Sequence, residues 1–551
     1  MPHQQQDMAR RVSLSELERA DKLTWRQIRT VLISSVGFFT DAYDIFIMNL
    51  VSPMLGFVYY AGMGNHMPPA VEGPLKGMVT FGTFVGQLLF GYIGDTYGRK
   101  AIYGFELIII VVATIFCATA SSAVRGVSAI GYLFFWRFIL GIGIGGDYPM
   151  SATITSEWAV RGRRGQMMSL VFSMQGLGNF TACVVTTILL LIFRGAIEAD
   201  QLNIDYVWRL CIGLGAIPSF LTVYSRLSLP ESPRYTKDVL KDEERAMDAI
   251  GPNESAKNND SASEEDIKPQ TTSEVKDTAT QPANSPAPQA ENRAAEQWRD
   301  FRHYYSQWRN LRVLLGTSIT WFLLDIAFYG IALNQAYVLQ AIGFAGGSNP
   351  WDTLFKQATG NLIISVLGAL PGYYASVFLI ERLGRKPIQY IGFFMTAILF
   401  AILAIFFHQI QQNSIAAFIV LFAVTQFFFQ FGPNTTTFVL AAEVFPTRYR
   451  ATSHGISAAA GKLGAILATF GFNLLVEVGG EPGQHAFLPQ TLGIFAAVMF
   501  VGGLFTPLIP ETKGKSLDYF EQEREEEIGL IRKLRRRKAQ MEKGVEEEEK
   551  Q

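Results

Sequence analysis

The chain has 551 residues, of which 49% are hydrophobic and 17% charged, with 42 phenylalanines. That balance excludes an ordinary soluble globule of this length and points to a protein that crosses a membrane many times. The formal net charge of −1 says little about partners, because the charges are sorted by segment, and nothing in the chain points to nucleic acid.

Residues 1–27 are polar and lack an apolar signal core, so the first apolar run is expected to act as an uncleaved anchor. A spanning helix takes about 20 mostly apolar residues. Six such runs are predicted at 28–54, 75–96, 101–121, 129–155, 166–193 and 208–229, which makes 28–235 a first six-helix half. Residues 236–300 follow, including NESAKNNDSASEEDIKPQTTSEVKDTATQPANSPAPQAENRA. A stretch so poor in large apolar residues cannot bury a core and reads as a disordered linker, with room for regulatory partners. Six more runs are predicted at 311–341, 357–381, 388–408, 415–443, 451–476 and 487–509, giving a second half over 301–510. The polar tail, 511–551, contains EREEEIGLIRKLRRRKAQ. It reads as a solvated charged helix, with a lipid-surface helix as the alternative. The expected fold is an all-α membrane protein of twelve transmembrane helices in two pseudo-symmetric halves.

The halves echo each other. Gly98-Arg99-Lys100 follows the second run and Gly384-Arg385-Lys386 the eighth, an offset of 384 − 98 = 286. Glu157 and Glu443 repeat it, 443 − 157 = 286. Equal spacing of two landmarks argues for a duplicated unit, a transporter architecture. Arg99, Lys100, Arg161, Arg163, Arg164, Arg382, Arg385, Lys386, Arg448 and Arg450 all fall in loops of one side. The opposite loops, such as YYAGMGNHMPPAVEG and HQIQQNS, are nearly free of Lys and Arg. By the positive-inside rule both termini and the linker are cytoplasmic, and the plasma membrane is the expected location.

Seven ionisable residues are expected deep in the bilayer: Asp41, Asp44, Glu106, Arg137, Asp147, Asp325 and Lys462. Such residues are costly in lipid and usually face a cavity, pair, or mark an ion path. Static salt bridges are the blander reading, and Arg137 also suits helix packing. As a group, five acids exceed two bases, so three carboxylates would lack a basic partner. A surplus of buried acids is what proton coupling requires. Trp321, Asp325 and Tyr329 follow one another at i, i+4 and i+8, forming one stripe on the seventh helix. Gly141, Gly143, Gly145 and Gly146 read as a close-packing face and not a nucleotide loop, since no GK[ST] follows. The three cysteines, Cys117, Cys183 and Cys211, lie in apolar runs, so no disulfide framework is expected. No metal-ligand spacing, cofactor motif or nucleophile elbow is present, so neither metal, cofactor nor enzymatic activity is expected.

Several motifs together carry a resemblance. GYIGDTYGRK (91–100) resembles the loop signature of the major facilitator superfamily, and PESPR (230–234) and PETKGKSL (510–517) resemble its end-of-half signatures. GGDYPMSATITSE (145–157) and FGPNTTTFVLAAEVFPTRYRATSHGISAAAGKLGAI (431–466) resemble blocks of its phosphate:proton symporters, the fungal and plant high-affinity branch. TDAYDIF (40–46) and WFLLDIAFYG (321–330) fit the same branch. Ala441 departs from it, standing where proline is usual.

The resemblance implies a proton-coupled importer of inorganic phosphate that works by alternating access. It assigns Tyr148, Gln175, Trp321, Asp325, Tyr329 and Asn434 to phosphate. All but Asp325 can donate hydrogen bonds to its oxygens, and Asp325 suits a phosphate hydroxyl. Each of the neutral residues taken alone is more often packing or interhelical glue. Asp41, Asp44, Glu106 and Asp147 would carry protons, with Arg137 and Lys462 shaping the field. Asp95, Arg99, Glu157, Arg161, Arg385, Glu443 and Arg448 would hold end states of the cycle. The alternatives are a proton-coupled carrier of a sugar or glycerophosphodiester, and a nutrient-sensing membrane receptor.

Overall fold

The computed structural model describes residues 25–240 and 290–520, apart from 101, 122–127, 348, 477, 480–485 and 518, together with residues 242 and 245. Eleven helices are long and apolar enough to cross a membrane, and one shorter apolar helix joins them, among the described residues. In chain order they are α1 (Trp25–Tyr59), α2 (Pro69–Tyr97), α3 (Phe105–Ala118), α4 (Ala129–Trp158), α5 (Arg161–Ile192), α6 (Gln201–Leu227), α7 (Trp308–Ala332), α8 (Pro350–Leu383), α9 (Arg385–Ile405), α10 (Ile415–Glu443), α11 (Thr447–Phe472) and α12 (Leu488–Leu508). All twelve predicted runs are therefore helices. The start of α1 and the ends of α6 and α12 lie at one end of the bundle, called here the terminal end; the other is the far end.

Local chemistry sets the limits. Pro69 opens α2, six residues before the apolar run, because proline suits the first helical turn. Gly98 and Gly384 take φ of 100° and 101° after α2 and before α9, a region that favours glycine. A Cβ at Gly98 would lie 2.7 Å from Glu231 Oε2, and one at Gly384 2.9 Å from Glu511 Oε2. The Gly-Arg-Lys echo is thus a turn that seats a carboxylate. In α4 the glycine face works as expected: a Cβ at Gly145 would come within 2.8 Å of the Gly86 Cα in α2.

Regular helix fails in α10 at Gln430–Asn434, where Phe431 and Gly432 leave helical geometry ahead of Pro433. The freed Gln430 carbonyl accepts hydrogen bonds from Ser376 Oγ (2.9 Å) and Thr435 Oγ1 (2.7 Å), the satisfaction a broken membrane helix needs. Gly392 of α9 packs directly on Gly432 and Pro433. Ala441 lies in regular helix beyond the break.

The linker expectation needs correction at one end. A helix, Ala290–Tyr305, occupies its last residues. Trp298 meets Tyr92 of α2, while Phe301 meets Tyr449 and Tyr305 pairs with Ser453 (2.6 Å) at the start of α11. This aromatic face docks the segment on both halves. The rest of the expected linker, except residues 236–240, 242 and 245, lies outside the described residues, as do 1–24 and the charged tail from 521.

Candidate functional site

The stripe on α7 meets α11 at the centre. Lys462 Nζ donates to Asp325 Oδ2 at 2.8 Å and to Tyr329 Oη at 2.9 Å. The ammonium also sits 4.1 Å from the Tyr329 ring centroid and 5.4 Å from that of Tyr148. Tyr148, on α4, thereby brings the first half to a cation held by the second. Gln175 of α5 donates to Tyr148 Oη (3.1 Å) and accepts from Tyr373 Oη of α8 (2.7 Å). Asn434, at the α10 break, donates to Tyr373 Oη (2.9 Å) and reaches Gln175 Oε1 (3.2 Å) and Gln430 Oε1 (2.5 Å). Trp321 stands one turn from Asp325, against Gly461.

The six residues assigned to phosphate therefore surround one point on the seam between the halves, all of them buried. Tyr373 and Gln430 join them and were not singled out from the sequence. A cavity of 20 Å³ beside them is lined by Phe46, Gln175, Phe328, Tyr373, Gln426 and Gln430. That is room for about one water molecule.

A second cluster fills the first half. Arg226 of α6 grips Asp147 with two 2.8 Å hydrogen bonds and reaches Glu106 Oε1 at 3.0 Å. Ser151 Oγ donates to Asp147 at 2.5 Å. Glu106 is in the first turn of α3, not mid-span, and takes the Gly104 N–H at 2.8 Å. Arg137 pairs with no carboxylate among the described residues; its Nη1 donates to the backbone carbonyl of Asp44 at 2.9 Å. Asp44 Oδ2 accepts from Thr114 at 3.0 Å, while Asp41 lies against Asp147 and, among the described residues, neither of its oxygens makes a well-formed hydrogen bond.

The charge count expected from sequence is corrected here. Arg226 and Lys76 are further buried cations and Glu72 a further buried acid. Within the spans the surplus narrows to Asp41 and Asp44, the two deep acids without an ion pair among the described residues. Arg226 was passed over because it stands near a basic loop, Lys76 because it opens the second run.

Ion pairs close the terminal end. Arg99 bonds Asp95 (3.0 Å) and Glu157 (3.2 Å), and Arg385 bonds Glu381 (2.8 Å) and Glu443 (2.9 Å). Ser232 donates to Glu157, and Thr512 to Glu443 at 2.5 Å. Contacts that cross the seam here include Arg450 to Glu157 (3.0 Å), Arg99 to the Thr447 carbonyl (2.8 Å), and the Thr452 N–H to Asp95 (2.7 Å). Burial pushes the Arg99 guanidinium down, and Glu157 and Asp95 more than offset it, so its net shift is upward. Burial also holds Glu231 above the ordinary carboxylate value. Arg161 and Arg448 are exposed. Arg161 donates to the Gly514 carbonyl (2.8 Å), and Arg450, not singled out from the sequence as a latch residue, pairs across the seam with Glu157.

The far end is closed as well. Lys76 of α2 pairs with Glu72 (2.7 Å) and donates to Asn334 Oδ1 beyond α7 (3.0 Å). Tyr337 bonds Glu72, and Asn49 bonds Asn361 at 2.8 Å. The halves are therefore tied on both sides of the central site.

The sugar (and other) transporter family matches residues 30–523. A repressible high-affinity phosphate permease of Neurospora crassa is 41% identical, covering 92% of this chain and 88% of its own. An inorganic phosphate transporter of Saccharomyces cerevisiae is 40% identical, covering 94% and 88%. Among solved structures, a proton:xylose symporter of the major facilitator superfamily, bound to 6-bromo-6-deoxy-D-glucose, matches with a TM-score of 0.67 at 18% identity, over 90% of this chain and 98% of that one. Twelve helices in two halves, a buried polar seam and this family match lead to one conclusion: the chain belongs to the sugar (and other) transporter family, with these fungal permeases, and is a membrane transporter rather than an enzyme.

Proposed function

We propose that this transporter imports dihydrogen phosphate together with protons by alternating access. The observation that carries the reading is the seam itself. Tyr148, Gln175, Tyr373 and Asn434 offer neutral donors there, beside the Lys462–Asp325 pair. Donors suit phosphate oxygens, a carboxylate suits a phosphate hydroxyl, and a lysine suits the net charge. Trp321 and Tyr329 complete the wall. The names of the relatives support phosphate as the cargo.

Asp41, Asp44, Glu106 and Asp147 carry protons in this reading, with Arg137 and Arg226 setting the field. Since the cavity holds 20 Å³, the halves must part to admit the ion. Asp95, Arg99, Glu157, Arg385, Glu443 and Arg450 then serve as the latch of the terminal end, which we take as cytoplasmic, in the plasma membrane. Arg161 and Arg448 flank it. The segment between the halves serves regulation.

Radiolabelled phosphate uptake, with and without a protonophore, tests the whole. Uptake that collapses with the protonophore and resists excess sugar or glycerophosphodiester supports it. Competition by either organic solute, or binding without uptake, would replace it with the carrier or the receptor reading.

A further inference from the structure

His454 is fully buried in α11, and among the described residues neither ring nitrogen makes a well-formed hydrogen bond, the Phe438 backbone lying close to the ring without completing one. Buried polar side chains nearly always have one. Its neighbours are aromatic: Trp321 of α7 and Phe438 of α10 meet it at 88° and 89°, with centroids 5.5 and 5.4 Å away. An N–H aimed at a ring is a weak bond. It leaves the second nitrogen, an acceptor, without a donor. No ion pair explains the residue either, since no carboxylate lies within bridging distance among the described residues.

Its position is informative. Arg450, His454 and Lys462 follow at i, i+4 and i+12 on α11, so His454 lies about 6 Å of rise from the cross-seam ion pair and about 12 Å from the central lysine. Between the centre and the terminal end the halves close an aromatic plug. Phe38 and Phe172 of the first half meet Phe438 of the second, at 5.1 and 4.7 Å. Phe38 also touches Tyr148, and Phe172 touches Tyr373, so the plug lies directly under the central site. An ion leaving toward the terminal end must pass where Phe438 covers His454.

We propose that His454 is a further substrate-handling residue, an exit station that hydrogen-bonds phosphate once the plug has parted. A neutral imidazole has one donor and one acceptor. Dihydrogen phosphate has both acceptor oxygens and donor hydroxyls, so the two match without a charged partner. The inference rests on phosphate being the cargo.

The test uses the full chain in proteoliposomes of sorted orientation, with inorganic phosphate as the probe. Equilibrium binding and phosphate–phosphate exchange are measured for the wild type, His454→Phe and His454→Gln. His454→Phe keeps a ring in the plug, and His454→Gln keeps a donor and an acceptor. His454→Phe should bind at the central site within about twofold of wild type. Its half-saturating phosphate on the terminal side should rise about tenfold, the size of one hydrogen bond to a charged group. His454→Gln should recover most of that rise. Wild-type behaviour of His454→Phe from both sides, or a loss that His454→Gln does not recover, makes His454 a packing residue and overturns the proposal. A wild type that binds no phosphate overturns the cargo assignment, and this inference with it.

Discussion

Lys462 reaches Asp325 across 2.8 Å, from α11 to α7, and both residues belong to the second half. A rocking motion between halves therefore leaves the pair intact. While Asp325 is ionised the pair is neutral and attracts an anion weakly. A proton on Asp325 removes the negative partner and leaves the Lys462 charge to the cargo. Phosphate and one proton would then load on the same pair, with Asp41, Asp44, Glu106 and Asp147 delivering protons to it.

Replacing Asp325 by Asn fixes the neutral state. Asp325→Asn should keep phosphate binding yet lose proton-driven uptake by about ten- to a hundredfold, following the roughly 1.5–3 kcal/mol of a charged hydrogen bond. Uptake at matched surface expression is the measurement. Near-normal proton-driven uptake would move the coupling to Asp41 or Asp44.

Uptake should rise as the outer medium becomes mildly acidic. Asp41 and Asp44 are buried without ion pairs among the described residues, and on the proposed reading protons that enter with phosphate are driven harder as outer pH falls. Weakly buffered medium should turn alkaline on adding phosphate. Sodium-driven uptake indifferent to a protonophore would contradict this.

Arg450 and Arg448 make a paired control. Arg450 is buried and crosses the seam to Glu157, whereas Arg448 is exposed. Arg450→Met should slow uptake several-fold, and a cycle with Glu157→Gln should show strong coupling. Arg448→Ala should stay within twofold of wild type. Equal effects of the two substitutions would show that the cross-seam pair does not control closure.

At the far end, Lys76→Met leaves Glu72 buried without its cation. Removing one partner of a buried pair costs about 3–5 kcal/mol. Thermal unfolding in detergent should register that loss, and adding Glu72→Gln should restore most of it. A thiol cross-link between Asn49→Cys and Asn361→Cys should stop uptake, and cleaving it should restart uptake. Continued uptake by the cross-linked protein would mean that this end never opens.

The spans were legible because apolar runs of this length have few other fates, and the Gly-Arg-Lys turns because only glycine fits their backbone. The seam was legible in part. Trp321, Asp325 and Tyr329 share a helical period, so one helix announces them. Tyr373 carried no such signal, since its role depends on α5 and α10 arriving beside α8. Arg226 is the sharper omission. Its partners come from α3 and α4, and nothing in SRLSLPESPR distinguishes an inward arginine from a loop one. His454 is silent for the same reason, because its lack of partners exists only in three dimensions. The docked helix before α7 hid in a polar composition, with Trp298, Phe301, Tyr304 and Tyr305 as its aromatic spacing.

The break in α10 has a counterpart in the first half. The offset of 286 that relates Glu157 to Glu443 also relates the starts of α4 and α10, at 129 and 415. It carries Glu106 to Gly392 (106 + 286) and Asp147 to Pro433 (147 + 286). In one half this helix crossing holds two acids gripped by Arg226; in the other a glycine lies against a kinking proline. The two copies have thus diverged at the same contact, one toward storing charge and the other toward bending. The symmetry of the two copies persists in the latches, where Arg99–Glu157 and Arg385–Glu443 repeat one ion pair, and is lost at the crossing, where one copy holds a buried charge cluster and the other a broken helix.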